Sequence, residues 1–181
     1  MSALIRVRLE RPTARYRAPF LAAVRRSRRL HSPWVSPPAS TATYAAYLRR
    51  LGRPTHAGYL VVLRDSGDLV GVVNVSEIVG GAFRSGYLGY YAFAPHARRG
   101  LMREGLALVI ADVFRRLRLH RLEANIQPAN RPSIRLVRRL GFRREGYSPR
   151  YLKIGGRWRD HERWAILARP FSAQRPSAVI R

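Results

Sequence analysis

The segment Arg98 to Leu119 carries the clearest helical pattern in the chain and sets the layers around it. Met102, Leu106, Val109, Ile110, Val113 and Leu117 recur there at helical spacing and make one apolar face. A helix of that kind is stable only when the face is covered by another layer. The residues before it, Tyr87 to Phe93, are apolar and aromatic, so they are expected to form a strand, ended by Pro95. A strand therefore runs through a short turn, rich in Arg and Gly, into a long helix.

The flanking pattern supplies the layers. Leu4 to Leu9 alternates, with Ile5, Val7 and Leu9 on one face, and is expected to be a strand. Pro12 and Thr13 open a helical stretch reaching about Leu30, with a break or kink expected at Pro19. His31 to Ala39 is a proline-rich loop around Trp34, and Thr41 to Leu51 a second short helix ended by Gly52 and Pro54. Tyr59 to Leu63 and Leu69 to Val75 flank an Asp-Ser-Gly-Asp turn, a hairpin signal. Arg121 to Ile126 is a strand. Pro132 stands near the start of a helix that Gly141 ends. Phe142 to Tyr147, Tyr151 to Ile154 and Trp164 to Leu167 are closing strands, with Gly155-Gly156 as a turn. This order predicts an α/β (α+β) fold: a mixed, largely antiparallel twisted sheet flanked by helices.

The 181 residues suit one domain, expected over residues 1–169, with 170–181 as an aperiodic tail expected to be mobile. The longest apolar stretch, Gly105 to Ala111, is far short of the roughly 20 residues that a membrane span needs. The first ten residues mix charge with apolar side chains and lack the apolar core of a secretory signal. A cytoplasmic protein with no membrane partner is expected. There is no cysteine, which excludes disulfides, thiolate metal sites and a cysteine nucleophile; no metal is implied. The net charge is +25, and Lys153 is the only lysine. Such a balance attracts polyanions such as nucleic acid or phosphorylated cofactors. It disfavours a polycationic small substrate, for which few carboxylates are available.

Two segments carry candidate chemistry. In the first, Tyr87 to Gly105, the turn holds Arg98, Arg99, Gly100 and Arg103 at the opening of a helix, whose free N–H groups and partial positive charge suit a pyrophosphate. The same residues also fit an ordinary turn with solvated arginines. In the second, Asn125 to Ser133 followed by Arg139 to Tyr147, Asn130 is either a helix N-cap or a ligand contact.

Taken together, Gly71-Val72 to Ser76, Tyr87-Leu88-Gly89-Tyr90, Gly100-Leu101-Met102, Leu140-Gly141-Phe142, Glu145-Gly146-Tyr147, Tyr151-Leu152 and Trp158-Arg159-Asp160-His161 resemble the GNAT superfamily of N-acetyltransferases over roughly Leu4 to Leu167. The likeness is greatest to its RimJ/RimL branch, the ribosomal-protein N-terminal acetyltransferases, and within that to the RimJ-type alanine enzymes. The resemblance implies acetyl-CoA as cosubstrate. It implies pantetheine along the backbone of Tyr91, Ala92 and Phe93, pyrophosphate on Arg98, Arg99, Gly100, Leu101, Met102 and Arg103, and a cofactor contact at Asn130. Ser133 matches the serine assigned to protonate the departing thiolate; Val137 stands where many relatives use tyrosine. Asn125 occupies the place of a glutamate in one related branch. The base is left open among Glu77, Asp160 and His161, of which the last two also suit a turn. Trp34, Tyr87 and Tyr151 are either slot or core aromatics.

The implied reaction is direct attack of an N-terminal α-amine, of alanine on a ribosomal protein, in a ternary complex. A basic enzyme and a basic substrate repel each other, so an RNA-containing particle is the expected meeting place. Two other readings are an acetyltransferase of a small amine or antibiotic, and a basic RNA-binding or ribosome-assembly module without catalysis.

Overall fold

A computed structural model describes residues 4–168. Its strands are β1 (Val7–Glu10), β2 (Ala57–Leu63), β3 (Leu69–Val79), β4 (Ser85–Ala92), β5 (Arg121–Ile126), β6 (Arg143–Ile154) and β7 (Arg157–Leu167). Its helices are α1 (Arg17–Arg26), α2 (Arg28–His31), α3 (Thr41–Leu51), α4 (Leu101–Arg116) and α5 (Arg131–Arg139). The strands make one sheet in the order β1-β2-β3-β4-β5-β7-β6. Every pairing is antiparallel except β4 with β5. The mixed, mostly antiparallel architecture expected from the pattern is the one observed. The expected tail, residues 170–181, lies outside the described residues. No described helix is long and apolar enough to cross a membrane.

Each sheet face has its own core. On one, Leu101, Leu106, Val109 and Val113 of α4 and Ile134 and Val137 of α5 pack on Val61, Val73, Leu122 and Trp164. On the other, Phe20 of α1 meets Tyr44 and Tyr47 of α3 and Phe93, with ring centroids 4.7, 6.1 and 5.7 Å away. Gly105 brings α4 down onto β2: a Cβ there would stand 2.6 Å from both Val61 methyl groups.

Several boundaries differ from the sequence expectation. The first strand begins at Val7, and Leu4 and Ile5 are exposed, because only Val7–Glu10 finds a partner, on β2. Pro19 causes no break: it lies in the first turn of α1, where a missing N–H costs nothing. The interruption comes earlier, at a 3-10 turn over Ala14–Tyr16, and later, at Ser27. The long helix begins at Leu101 rather than Arg98, because Arg98 (φ 63°) and Gly100 (φ 81°) are left-handed. The two closing strands near residue 147 are one strand, β6, with a bulge between Ser148 and Leu152. Alternation broken by a bulge looks like two strands in a sequence.

The end of β4 is clamped from α1 and α2 by two buried polar side chains. Ser27 Oγ accepts from the Ala94 N–H at 2.9 Å and donates to the Ala23 carbonyl at 2.7 Å. His31 Nε2 donates to the Ala92 carbonyl at 2.8 Å. Burial holds the His31 pKa below its ordinary value, against the smaller upward effect of that bond.

The fold yields two predictions. Gly105→Leu overpacks the α4–β2 contact and costs about 1–3 kcal/mol, read as a lower urea midpoint. Gly89→Ala, with nothing near its added Cβ, leaves that midpoint in place. Because His31 stays neutral when folded, the unfolded chain takes up a proton first as pH falls below about 6.5. The neutral ring's contribution is full above that pH and is lost as pH falls toward the folded pKa. Stability of the wild type should therefore fall more steeply between about pH 7 and 5 than that of His31→Gln; equal slopes would refute this.

Candidate active site

Strands β4 and β5 pair over only three positions, Ser85, Gly86 and Tyr87 against Arg121, Leu122 and Glu123. Beyond them the strands separate. A cavity of about 1030 Å³ opens between Leu88–Ala92 on one side and Asn125–Ile126 on the other. Helix α5, the loop before α4, α2 with Trp34, and the β6–β7 hairpin complete its wall. The edge of β4 that faces the gap has no strand partner, so backbone groups are available to a ligand there.

The loop entering α4 is built for an anion. Arg98 and Gly100 curl it with positive φ, and the Leu101 and Met102 N–H groups have no backbone acceptor. The acid in the first turn, Glu104, would oppose a phosphate. It is tied instead to Arg6, whose N–H and Nε donate at 2.9 Å and whose Nη2 lies at 2.5 Å. The same Nη2 reaches the Arg99 carbonyl at 3.1 Å and so anchors the loop.

Asn130 caps α5, its Oδ1 accepting from the Ser133 N–H at 3.3 Å. Ser133 Oγ lies 2.5 Å from the Tyr90 hydroxyl. Burial raises the Tyr90 pKa to about 12, so its hydroxyl keeps its proton. Asn125 Oδ1 is buried with no protein partner. His161 is buried; its Nδ1 donates to the Arg159 carbonyl at 2.9 Å, leaving the Nε2 lone pair free. Burial lowers its pKa, so the ring is neutral near pH 7. Tyr151 packs edge-on to it, with ring centroids 6.1 Å apart.

Of the candidates named from sequence, Ser133, His161, Trp34, Tyr91, Ala92, Arg98, Gly100, Met102, Arg103, Asn125 and Asn130 line this cavity. Others do not. Leu101 and Phe93 are in the core, and the Phe93 N–H is taken by the Val70 carbonyl at 2.7 Å. Arg99 is exposed beside the loop. Glu77 is exposed on a bulge of β3 with φ 49°, away from the cavity. Asp160, on β7, is held by the Tyr147 hydroxyl at 2.5 Å and the Arg150 N–H at 2.8 Å, and so braces the bulge in β6. Tyr87 and Tyr151 flank the wall rather than line it. Sequence reasoning missed Tyr90 and His31. Alternation along β4 puts Tyr90 on the α5 side, which was a usable signal; nothing local marks His31. Among the described residues, no three His, Asp or Glu side chains converge as a metal site.

Residues 6–143 match the acetyltransferase (GNAT) domain family. The chain is 34% identical over 121 residues to a probable N-acetyltransferase, YjcK, of Bacillus subtilis, covering 67% of each. It is 43% identical over 97 residues to the ribosomal protein uS5-alanine N-acetyltransferase of Escherichia coli, covering 54% of this chain but only 50% of that enzyme. Mycobacterium smegmatis RimJ in complex with CoA-disulfide superposes with a TM-score of 0.82 at 28% identity, over 90% of this chain and 82% of that one. The splayed strands, the anion loop and the helix after it all fall inside the matched span, and the chain belongs to the GNAT acetyltransferase family.

Proposed function

We propose that the protein transfers the acetyl group of acetyl-CoA to the N-terminal α-amine of a ribosomal protein, with alanine as the acceptor residue. The observation that carries this is the open edge of β4 beside an anion loop whose one acid is neutralised by Arg6. The likeness to the E. coli alanine acetyltransferase supports the acceptor. The residues present fit the cosubstrate. Asn125 Oδ1, buried and unpartnered, suits an amide N–H of the pantetheine arm. Arg98, Arg103, Arg135 and Arg139 at the cavity wall suit its phosphates.

Acetyl-CoA supplies an activated thioester. The chain's part is proton handling and alignment. The acceptor amine, with a reference pKa of about 7.7–8.0, is already partly neutral at physiological pH. His161 Nε2 receives its proton as the new amide bond forms and the thioester C–S bond breaks. With Tyr90 as donor in its contact with Ser133 Oγ, the serine's own proton is free to pass to the departing thiolate. No covalent acyl-enzyme is needed, and proximity within the ternary complex supplies much of the rate.

No carboxylate lines the cavity among the described residues, which speaks against a polyamine or aminoglycoside acceptor. The RNA-containing particle as meeting place is supported by the helical layer. From Arg11 to Arg64 the chain contains no acidic residue, and Arg17, Arg25, Arg26, Arg28, Arg49 and Arg50 of α1–α3 are exposed.

Calorimetric titration with acetyl-CoA should show binding that Gly100→Asp weakens on the order of tenfold or more, since a Cβ is strained there and a carboxylate meets the phosphates. A folded wild type that does not bind would end the enzymatic reading. Ser133→Ala should lower kcat by about a hundredfold, and Tyr90→Phe by less, both with acetyl-CoA affinity kept. Acetylation should be faster on ribosomal particles than on the free ribosomal protein; equal rates would remove the particle from the proposal.

A further inference from the structure

Strand β7 sorts its charges by face. Arg157, Arg159, His161 and Arg163 alternate with Trp158, Asp160, Glu162 and Trp164. The orientation is fixed independently on both faces: His161 lines the active-site cavity, and Trp164 is buried in the core under α4 and α5. Both acids therefore face away from the cavity, and both are engaged. Asp160 is held as described, while Glu162 accepts from Trp164 Nε1 at 3.1 Å and lies 3.7 Å from Arg144.

The cavity-side cations are not neutralised in this way. Arg163 is laid over β6, filling the space at Gly146 where a Cβ would stand 2.6 Å from its Nη2. Arg157 and Arg159 have no carboxylate within 4.0 Å among the described residues. Their cross-strand partners on β6 are Ile154 and Leu152, and both of those line the cavity. Glu123 on β5 and Glu145 on β6 are both already paired with Arg121. Arg157 and Arg159 thus stand beside the apolar lip of the cavity, opposite Ile154 and Leu152, with no carboxylate paired to them among the described residues.

We propose that the acceptor segment carries a carboxylate side chain within its first few residues, and that Arg157 and Arg159 select it. This rests on the reading of the site as one for a peptide α-amine. Along a strand each residue advances about 3.3 Å, so Arg159 stands roughly 7 Å from His161. That is the reach of two extended acceptor residues. An amine delivered to His161 places the third acceptor side chain beside Arg159 and the fifth beside Arg157. A carboxylate there makes a charge-assisted pair, and a lysine meets like charge next to a low-dielectric wall. A basic ribosomal protein is compatible with this, because the selection concerns its first few residues and not its net charge.

The test compares three pentapeptide acceptors, Ala-Ala-Glu-Ala-Glu, Ala-Ala-Ala-Ala-Ala and Ala-Ala-Lys-Ala-Lys, by kcat/KM at fixed acetyl-CoA. The glutamate peptide should exceed the lysine peptide by about tenfold, and added salt should shrink the gap. The double variant Arg157→Glu/Arg159→Glu should reverse the order, and Arg157→Gln/Arg159→Gln should abolish it, each with calorimetric acetyl-CoA affinity unchanged. Equal use of all three peptides by the wild type, or a preference that both double variants retain, would overturn the inference while leaving the peptide reading intact. Binding of acetyl-CoA with no turnover of any peptide would overturn the peptide reading and the inference with it.

Discussion

The structure depends on the brevity of one pairing. Among the described residues β4 and β5 are the only parallel neighbours in the sheet, and they hold together over three positions before diverging. Parallel strands need a long crossover, and α4 supplies it. Once the strands part, a sheet that would otherwise be continuous has an unpaired edge in its middle. An unpaired edge inside a protein is costly unless something occupies it. Here the loop before α4, the cap of α5 and the β6–β7 hairpin surround the opening and make it a cavity rather than a defect.

Polar groups around that opening fall into two kinds. Some pair within the protein through at least one atom and set its shape. Ser27 and His31 fix the end of β4, and Arg6 with Glu104 fixes the anion loop. Others are left with unused capacity, as with Asn125 Oδ1 and the His161 Nε2 lone pair. Folding stability alone would favour pairing or removing them. Their placement along one cavity is the reason to read the opening chemically. The Tyr90–Ser133 contact belongs to both kinds, since it pairs two hydroxyls with each other at the cavity wall.

Charge is distributed by the same logic. The acids are few, and most serve as local anchors: Glu104 for the loop, Glu123 and Glu145 for Arg121, Asp160 for the β6 bulge. Spent in this way, they leave the cavity lined by arginine without carboxylate. A net charge of +25 thus becomes a local property of the site as well as a property of the whole surface.

The periodic elements and the anion loop are legible in the linear chain. Apolar residues at helical spacing place α4, alternation places β5 between Arg121 and Ile126, and Gly100 with its arginine neighbours marks the turn. These are local properties of covalent geometry and side-chain pattern, so they can be read without a partner. The family resemblance added Ser133, Asn125 and Asn130, which do line the cavity. Which candidates meet is set by strand order and packing. Glu77 and Asp160 are as eligible as His161 in a linear chain. A bulge turns the first out to solvent, the Arg150 N–H and the Tyr147 hydroxyl hold the second, and strand alternation points the third inward. Tyr90 and His31 acquire their roles from Ser133 and Ala92, respectively 43 and 61 residues away along the chain. Such long-range contacts arise from strand order and layer packing, which no local pattern encodes.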